Sequence, residues 1–140
     1  MAQAVGKIAS GGKSNVVKVV GLFKRKKGLS MEKFKDYYEN QHIKLFDEHV
    51  AHPGVLRYSR RYLTPFEGLA SPLPPPKEKS YDVIMEVWYK DKELFDSFKG
   101  QSDPSFSEIV RKDEENFFDR DSMVMFLSED CESKDGPWNV

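Results

Sequence analysis

Two histidines, His42 and His49, lie seven residues apart in the stretch GLSMEKFKDYYENQHIKLFDEHVAH, residues 28 to 52. At ~100° per residue, Phe34, Tyr38, His42, Leu45 and His49 share one side of a helix. Lys33, Asp36, Asn40, Lys44 and Asp47 share the other. An imidazole on an apolar stripe is costly to bury unless both ring nitrogens find partners. Two readings are open: local partners satisfy the rings, or the rings face a cleft and move protons. An imidazole has a pKa of ~6.5, so it can both take and give a proton near neutral pH. Two helical turns separate the pair by ~10 Å along the axis, too far for both rings to grip one metal. That spacing suits contacts at two points of an extended, oxygenated substrate. Decarboxylation of a β-keto acid, dehydration and aldol closure all pass through an enol or enolate. Each needs a placed base or acid and a donor for the growing oxyanion. His42 is the principal candidate and His49 the second. Tyr58 or Arg60, on one face of a later strand, could supply the donor. Tyr38, Phe46, Tyr58, Arg60 and Met85 form the candidate substrate-binding set. His52 falls where Pro53 and Gly54 must end the helix, and reads as loop.

Other chemistries are excluded by absence of their motifs. The sequence has no P-loop, no dinucleotide glycine motif, no metal-ligand cluster and no Ser-His-Asp arrangement. No cofactor and no metal are therefore expected. With 22 basic and 23 acidic residues well mixed, the net charge of -1 offers no field for a polyanion, so nucleic acid is not an expected partner. A single cysteine, Cys131, permits no internal disulfide and no CxxC zinc site. No early stretch reads as a signal peptide or a membrane span, and the expectation is a cytoplasmic protein that meets no membrane.

The elements that must position these residues emerge from local patterning. Residues 1–14 form a polar, small-residue lead, and residues 15–128 form one domain. Residues 15–24 read as a strand, with Val17, Val19 and Phe23 on one face and Val16, Val20 and Leu22 on the other. Ser30 is the expected N-cap of the histidine helix, which runs to about residue 51. Residues 55–63 form a second strand, with Leu56, Tyr58, Arg60 and Tyr62 on one face. Residues 64–80 hold five of the eight prolines and read as an inserted loop. That loop is either a passive insertion or a flap that lays Phe66, Leu69 and Leu73 over a pocket. Residues 81–89 form a third strand with Tyr81, Val83, Met85, Val87 and Tyr89 on one apolar face. A short helix over 91–99 turns Leu94, Phe95 and Phe98 inward. Asp103 and Pro104 open another helix, whose stripe is Phe106, Ile109, Val110, Asp113 and Phe117. Residues 122–127 form a last strand, apolar on both faces. Residues 129–140 are a polar tail with Trp138 near its end.

The order β, α, β, β, α(α), β predicts an α+β domain, the ferredoxin-like βαββαβ arrangement with a four-stranded antiparallel sheet. Helices cover one sheet face only, yet the first and last strands are apolar on both. Ile84 and Trp88 add to the second face. Such a surface invites a second copy, so the patterning predicts a homodimer with two sheets face to face.

The run with Gly28, Leu29, Ser30, Phe34, Tyr37, Tyr38 and His42 resembles the EthD domain family. The strand YDVIMEVWY and the short helix after it resemble the family too, and together the likeness covers roughly residues 16 to 128. The sequence departs from the family at HIKL, where a proline often stands two after the histidine. The resemblance implies the dimeric α+β barrel fold and singles out His42. It also implies a cofactor-free enzyme that tailors a polyketide-like small molecule, as a decarboxylase, dehydratase or cyclase. Two alternatives stand beside that reading: a cofactor-independent, quinone-forming monooxygenase, and a non-catalytic barrel that binds a hydrophobic metabolite.

Overall fold

β1, Val17–Phe23, lies inside a four-stranded sheet whose other members are β2 (Val55–Tyr62), β3 (Val83–Tyr89) and β4 (Val124–Ser128). This computed structural model describes residues 15–49, 51–66, 81–100 and 104–133, with the backbone alone for residues 49, 99, 100 and 104. The strand order is β2-β3-β1-β4 and every pairing is antiparallel. Helices α1 (Met31–Tyr37), α2 (Ile43–His49), α3 (Lys92–Gly100) and α4 (Pro104–Glu114) complete the expected α+β, ferredoxin-like domain. The lead over 1–14, the flap residues Leu69 and Leu73, the Asp103 cap and Trp138 lie outside the described residues, as does the side chain of His49. Phe66, the one candidate flap residue that is described, is 63% exposed.

Alternation along the strands decides which face the helices cover. Val19, Phe23, Val83, Met85 and Val87 are buried on one face. Registers Leu22↔Ile84, Lys18↔Trp88 and Val20↔Phe126 put the opposite set on the other face, as period-two geometry requires. Gly21 belongs to the covered face. A Cβ there would stand 2.6 Å from the Phe23 ring and 2.8 Å from Met125 Sδ, so glycine lets those side chains meet across the sheet. β2 carries a bulge between Val55 and Arg57. The extra residue turns Leu56 out to solvent, away from the face of Tyr58 on which strict alternation would place it.

Gly28 adopts a φ of +84°, a left-handed turn conformation, just ahead of the first helix. Ser30 caps that helix: its Oγ accepts from the Lys33 N–H at 3.2 Å. Between α1 and α2 the helix does not stay α. Tyr38–His42 form one π-helical turn, which inserts a residue and rotates the inward stripe of α2 relative to that of α1. Phe46 consequently stacks on Tyr58 with ring centroids 3.9 Å apart. Among the described residues α2 runs to His49, and residue 51 is no longer helical. His52 serves the turn beyond it, its Nδ1 accepting from the Gly54 N–H at 2.9 Å.

Aromatic residues fill the core. Phe34, Tyr38, Phe117 and Val83 are its largest fully buried side chains, and Phe117 and Phe118 pack with centroids 4.0 Å apart. Phe117 does not extend the α4 stripe. α4 stops at Glu114, and a turn carries Phe117 and Phe118 back alongside β1, where the Lys26 N–H donates to Phe117 O at 2.7 Å. Ile109 correspondingly faces solvent. β4 starts at Val124, not 122, because Arg120–Ser122 form a 3-10 turn. The helix over residues 92–100 does pack inward as expected, with Phe95 and Phe98 against Tyr89.

Candidate active site

The π turn, α2 and α4 face the covered side of the sheet and leave a cavity of about 390 Å³ between them. Such a volume lies within the range of small-molecule pockets, ~300–1,000 Å³. β1 and β3 contribute Val19, Phe23, Met85, Val87 and Tyr89 to its walls, and β4 contributes Met125. The inward stripe of α4, Phe106, Val110 and Glu114, forms another wall at i, i+4 and i+8. The π turn and α2 present Tyr38, His42, Leu45 and Phe46, and β2 presents Tyr58. The lining is thus apolar and aromatic, with a few polar groups set into it.

His42 is fixed from behind. Its Nδ1 lies 2.7 Å from Asp113 Oδ2, near the end of α4. A carboxylate only accepts, so this contact puts a proton on Nδ1, and in the neutral ring the lone pair then sits on Nε2. Nε2 has no hydrogen-bond partner among the described residues. Asp113 is itself held, because the Tyr37 hydroxyl donates to Oδ1 at 2.6 Å and Asn116 Nδ2 donates to that hydroxyl oxygen at 2.9 Å. Burial first, and then the bond to Asp113, push the Tyr37 hydroxyl pKa up, so it stays a donor. The rings of Tyr38 and Phe117 flank the imidazole at 5.4 and 4.8 Å. The imidazole is thereby held in one orientation.

The neighbouring hydroxyls are also kept protonated. Burial pushes Tyr38 well above its ordinary pKa and raises Tyr58 too. The two oxygens stand 3.5 Å apart, too far for more than a weak mutual bond. Glu114 is raised as well, burial outweighing the opposing charges of His42 and Arg120.

Of the residues expected from sequence, the cavity brings together Tyr38, His42, Phe46, Tyr58 and Met85. Arg60 stands apart from it. Its Nε and Nη2 donate to Glu39 Oε2 and Oε1 at 2.7 and 2.8 Å, and Tyr62 donates to the same carboxylate. The Arg60 guanidinium lies 4.7 Å from the centre of the Tyr58 ring. His49 is the last residue of α2, and its side chain lies outside the described residues. Asp113, Glu114 and Tyr37 join the site although the sequence did not place them there. Asp113 carried a signal in the sequence, an acid within an apolar stripe. Glu114 carried none until the end of α4 was known. Among the described residues no group of three or more His, Cys, Asp or Glu side chains could hold a metal ion. No helix among them is long and apolar enough to cross a membrane.

The family model described as EthD domain matches residues 26–121, which include the helix that carries His42. The chain belongs to the EthD domain family. This EthD domain is similar in fold to an EthD family protein of Bacillus halodurans, with a TM-score of 0.53 and 16% identity over 83% of this chain and 99% of that one. A Mesorhizobium loti protein described as a DABB family member with a ferredoxin-like fold gives a TM-score of 0.54 at 11% identity, over 84% of this chain and 98% of that one. A Bacteroides fragilis protein, described as dimeric, of unknown function and ferredoxin-like, gives 0.50 at 8% identity, over 82% and 96%. At such identities the likeness speaks to fold alone. No curated protein matches the chain.

Proposed function

We propose that this EthD domain is a cofactor-free enzyme that performs acid-base chemistry on a flat, polyketide-like carbonyl compound. The observation that carries the reading is the 2.7 Å contact between His42 Nδ1 and Asp113 on the wall of an apolar cavity. In the proposal His42 Nε2 removes an acidic proton beside a carbonyl, and the electron pair moves onto the carbonyl oxygen. Asp113 stabilises the imidazolium that results. The Tyr38 and Tyr58 hydroxyls donate to the enolate oxygen, and being neutral they need no counter-ion. Arg60 acts through Tyr58: locked by Glu39, it packs against the ring and fixes where the hydroxyl stands. The aromatic walls hold a planar substrate, and His42, whose proton exchanges with solvent, returns a proton to the carbon.

The domain acts as a homodimer in this reading. Val20, Leu22, Ile84, Trp88 and the exposed Phe126 occupy the sheet face that the helices leave bare. The fold neighbour from Bacteroides fragilis is described as dimeric.

Anthrone is a suitable probe, being a flat tricyclic ketone with an acidic methylene at C10. Held in D₂O without oxygen, it should exchange its C10 protons faster with the protein than without it, as followed by NMR. Exchange no faster than the protein-free rate would refute the reading. Admitting oxygen adds a second arm: enzyme-dependent anthraquinone would assign the product to oxygenation, and its absence to chemistry that ends at the enolate.

A further inference from the structure

We infer that Glu114 is the acid that partners His42 in the cavity, and that the reaction the pair serves is loss of water from a β-hydroxy ketone. The inference rests on the reading of His42 as the base. Phe106, Val110 and Glu114 are successive members of one inward stripe, so the fold sets a carboxyl where helix packing alone would take an apolar side chain. Its side chain is only 13% exposed.

A structural explanation of Glu114 is weak. Its Oε1 accepts from Arg120 Nε at 3.2 Å, and that arginine side chain is 41% exposed. An ion pair with a partner so open to water adds little stability. Oε2 has no hydrogen-bond partner among the described residues. Burial favours the neutral acid, while a positive His42 favours the carboxylate. Burial thus works toward a carboxyl that can give a proton, in the wall of the cavity that His42 also lines.

That pairing distinguishes among enolate reactions. Oxygenation requires a base alone. Decarboxylation of a β-keto acid breaks a carbon–carbon bond and requires no base for a C–H. Dehydration requires both partners. His42 Nε2 takes the proton from the carbon beside the carbonyl, and that C–H pair becomes the new double bond. The bond from the β-carbon to its hydroxyl breaks with its electron pair on oxygen. Glu114 supplies the proton that makes the leaving group water. The products are an enone and water, and solvent returns a proton from His42 to Glu114 without any oxidant or reductant.

The test uses 3-hydroxy-1-tetralone, a flat β-hydroxy ketone whose dehydration yields 1-naphthol. In D₂O, NMR reads deuterium entering at C2, which reports the base, and fluorescence reads 1-naphthol, which reports the elimination. Glu114→Gln keeps the shape of the side chain but has no proton to transfer. The ratio of elimination to exchange should fall about 100-fold in this variant, the scale of a lost general acid. Glu114→Leu, which completes the apolar stripe, should show the same fall, so the test does not hang on the folding of one variant. A ratio within about twofold of the wild type in either folded variant would overturn the role of Glu114 while leaving His42 as base. Absence of enzyme-dependent C2 exchange in the wild type would instead overturn the His42 reading, and this inference with it.

Discussion

Asp113→Asn isolates the part of the site that acts on His42 without touching substrate. The wild-type carboxylate accepts from His42 Nδ1 at 2.7 Å and from the Tyr37 hydroxyl at 2.6 Å. Asparagine preserves the volume and one acceptor but removes the charge. It can also turn its amide N–H toward Nδ1, which would move the imidazole proton to Nε2 and abolish the base. A hydrogen bond to a charged group contributes about 1.5–3 kcal/mol. At ~1.4 kcal/mol per tenfold in rate, its loss in the transition state should lower kcat for C10 exchange of anthrone about 10- to 150-fold. Asp113 is not part of the cavity wall, so KM should stay within about twofold of the wild type. Tyr37→Phe removes only the outer donor and should lower kcat less. A folded Asp113→Asn protein with wild-type kcat would refute the claim that the dyad drives His42. A large rise in KM at constant kcat would refute it too, by showing that Asp113 serves binding.

Two further outcomes concern stability and assembly. Glu39→Gln should destabilise the fold by about 2 kcal/mol in urea at neutral pH, because it strands the partly buried Arg60 guanidinium. Arg60 holds the Glu39 carboxyl below its usual range. Its stabilisation is therefore present above the ordinary carboxylate pKa and is lost as pH falls through the lowered one, so the gap between wild type and variant should close in acid. A gap that stays constant with pH would contradict this assignment. Trp88→Glu should leave the monomer folded, since Lys18 and Arg57 stand 4.3 and 5.1 Å from the Trp88 ring and would flank the new carboxylate. Loss of a central tryptophan at an interface costs about 2 kcal/mol or more, so the dimer should weaken at least about 30-fold in sedimentation. A wild-type chain that sediments as a monomer at micromolar concentration would remove the dimer altogether.

What the sequence revealed, and what it hid, has physical causes. The positions of Phe34, Tyr38 and His42 were legible because they repeat at four-residue spacing on an uninterrupted helical pattern. The π turn was not, since inserting one residue leaves both flanking segments amphipathic. Strand facings in β1 and β3 came from alternation alone. The facing of Leu56 failed because a bulge breaks that alternation locally. Asp113 was visible as an acid on an apolar stripe, yet its partner lies 71 residues away on another element. The same limit hid Glu39 behind Arg60: the pair joins the π turn to β2, and only the packing of helix on sheet brings them together. Arginine read from β2 alone looked free to meet a substrate.

Everything proposed for the cavity depends on His42 moving protons and not merely filling space. Anthrone C10 exchange and thermal melting, measured on one preparation of His42→Gln, separate the two roles. Glutamine keeps an amide N–H that can still donate to Asp113, so the variant should melt close to the wild type, with a stability change of about 1 kcal/mol. Its kcat should fall about 10²- to 10⁴-fold, the range for a lost general base. A variant that melts many degrees lower, yet exchanges C10 protons at the wild-type rate per folded molecule, would show that His42 is structural and that the base lies elsewhere.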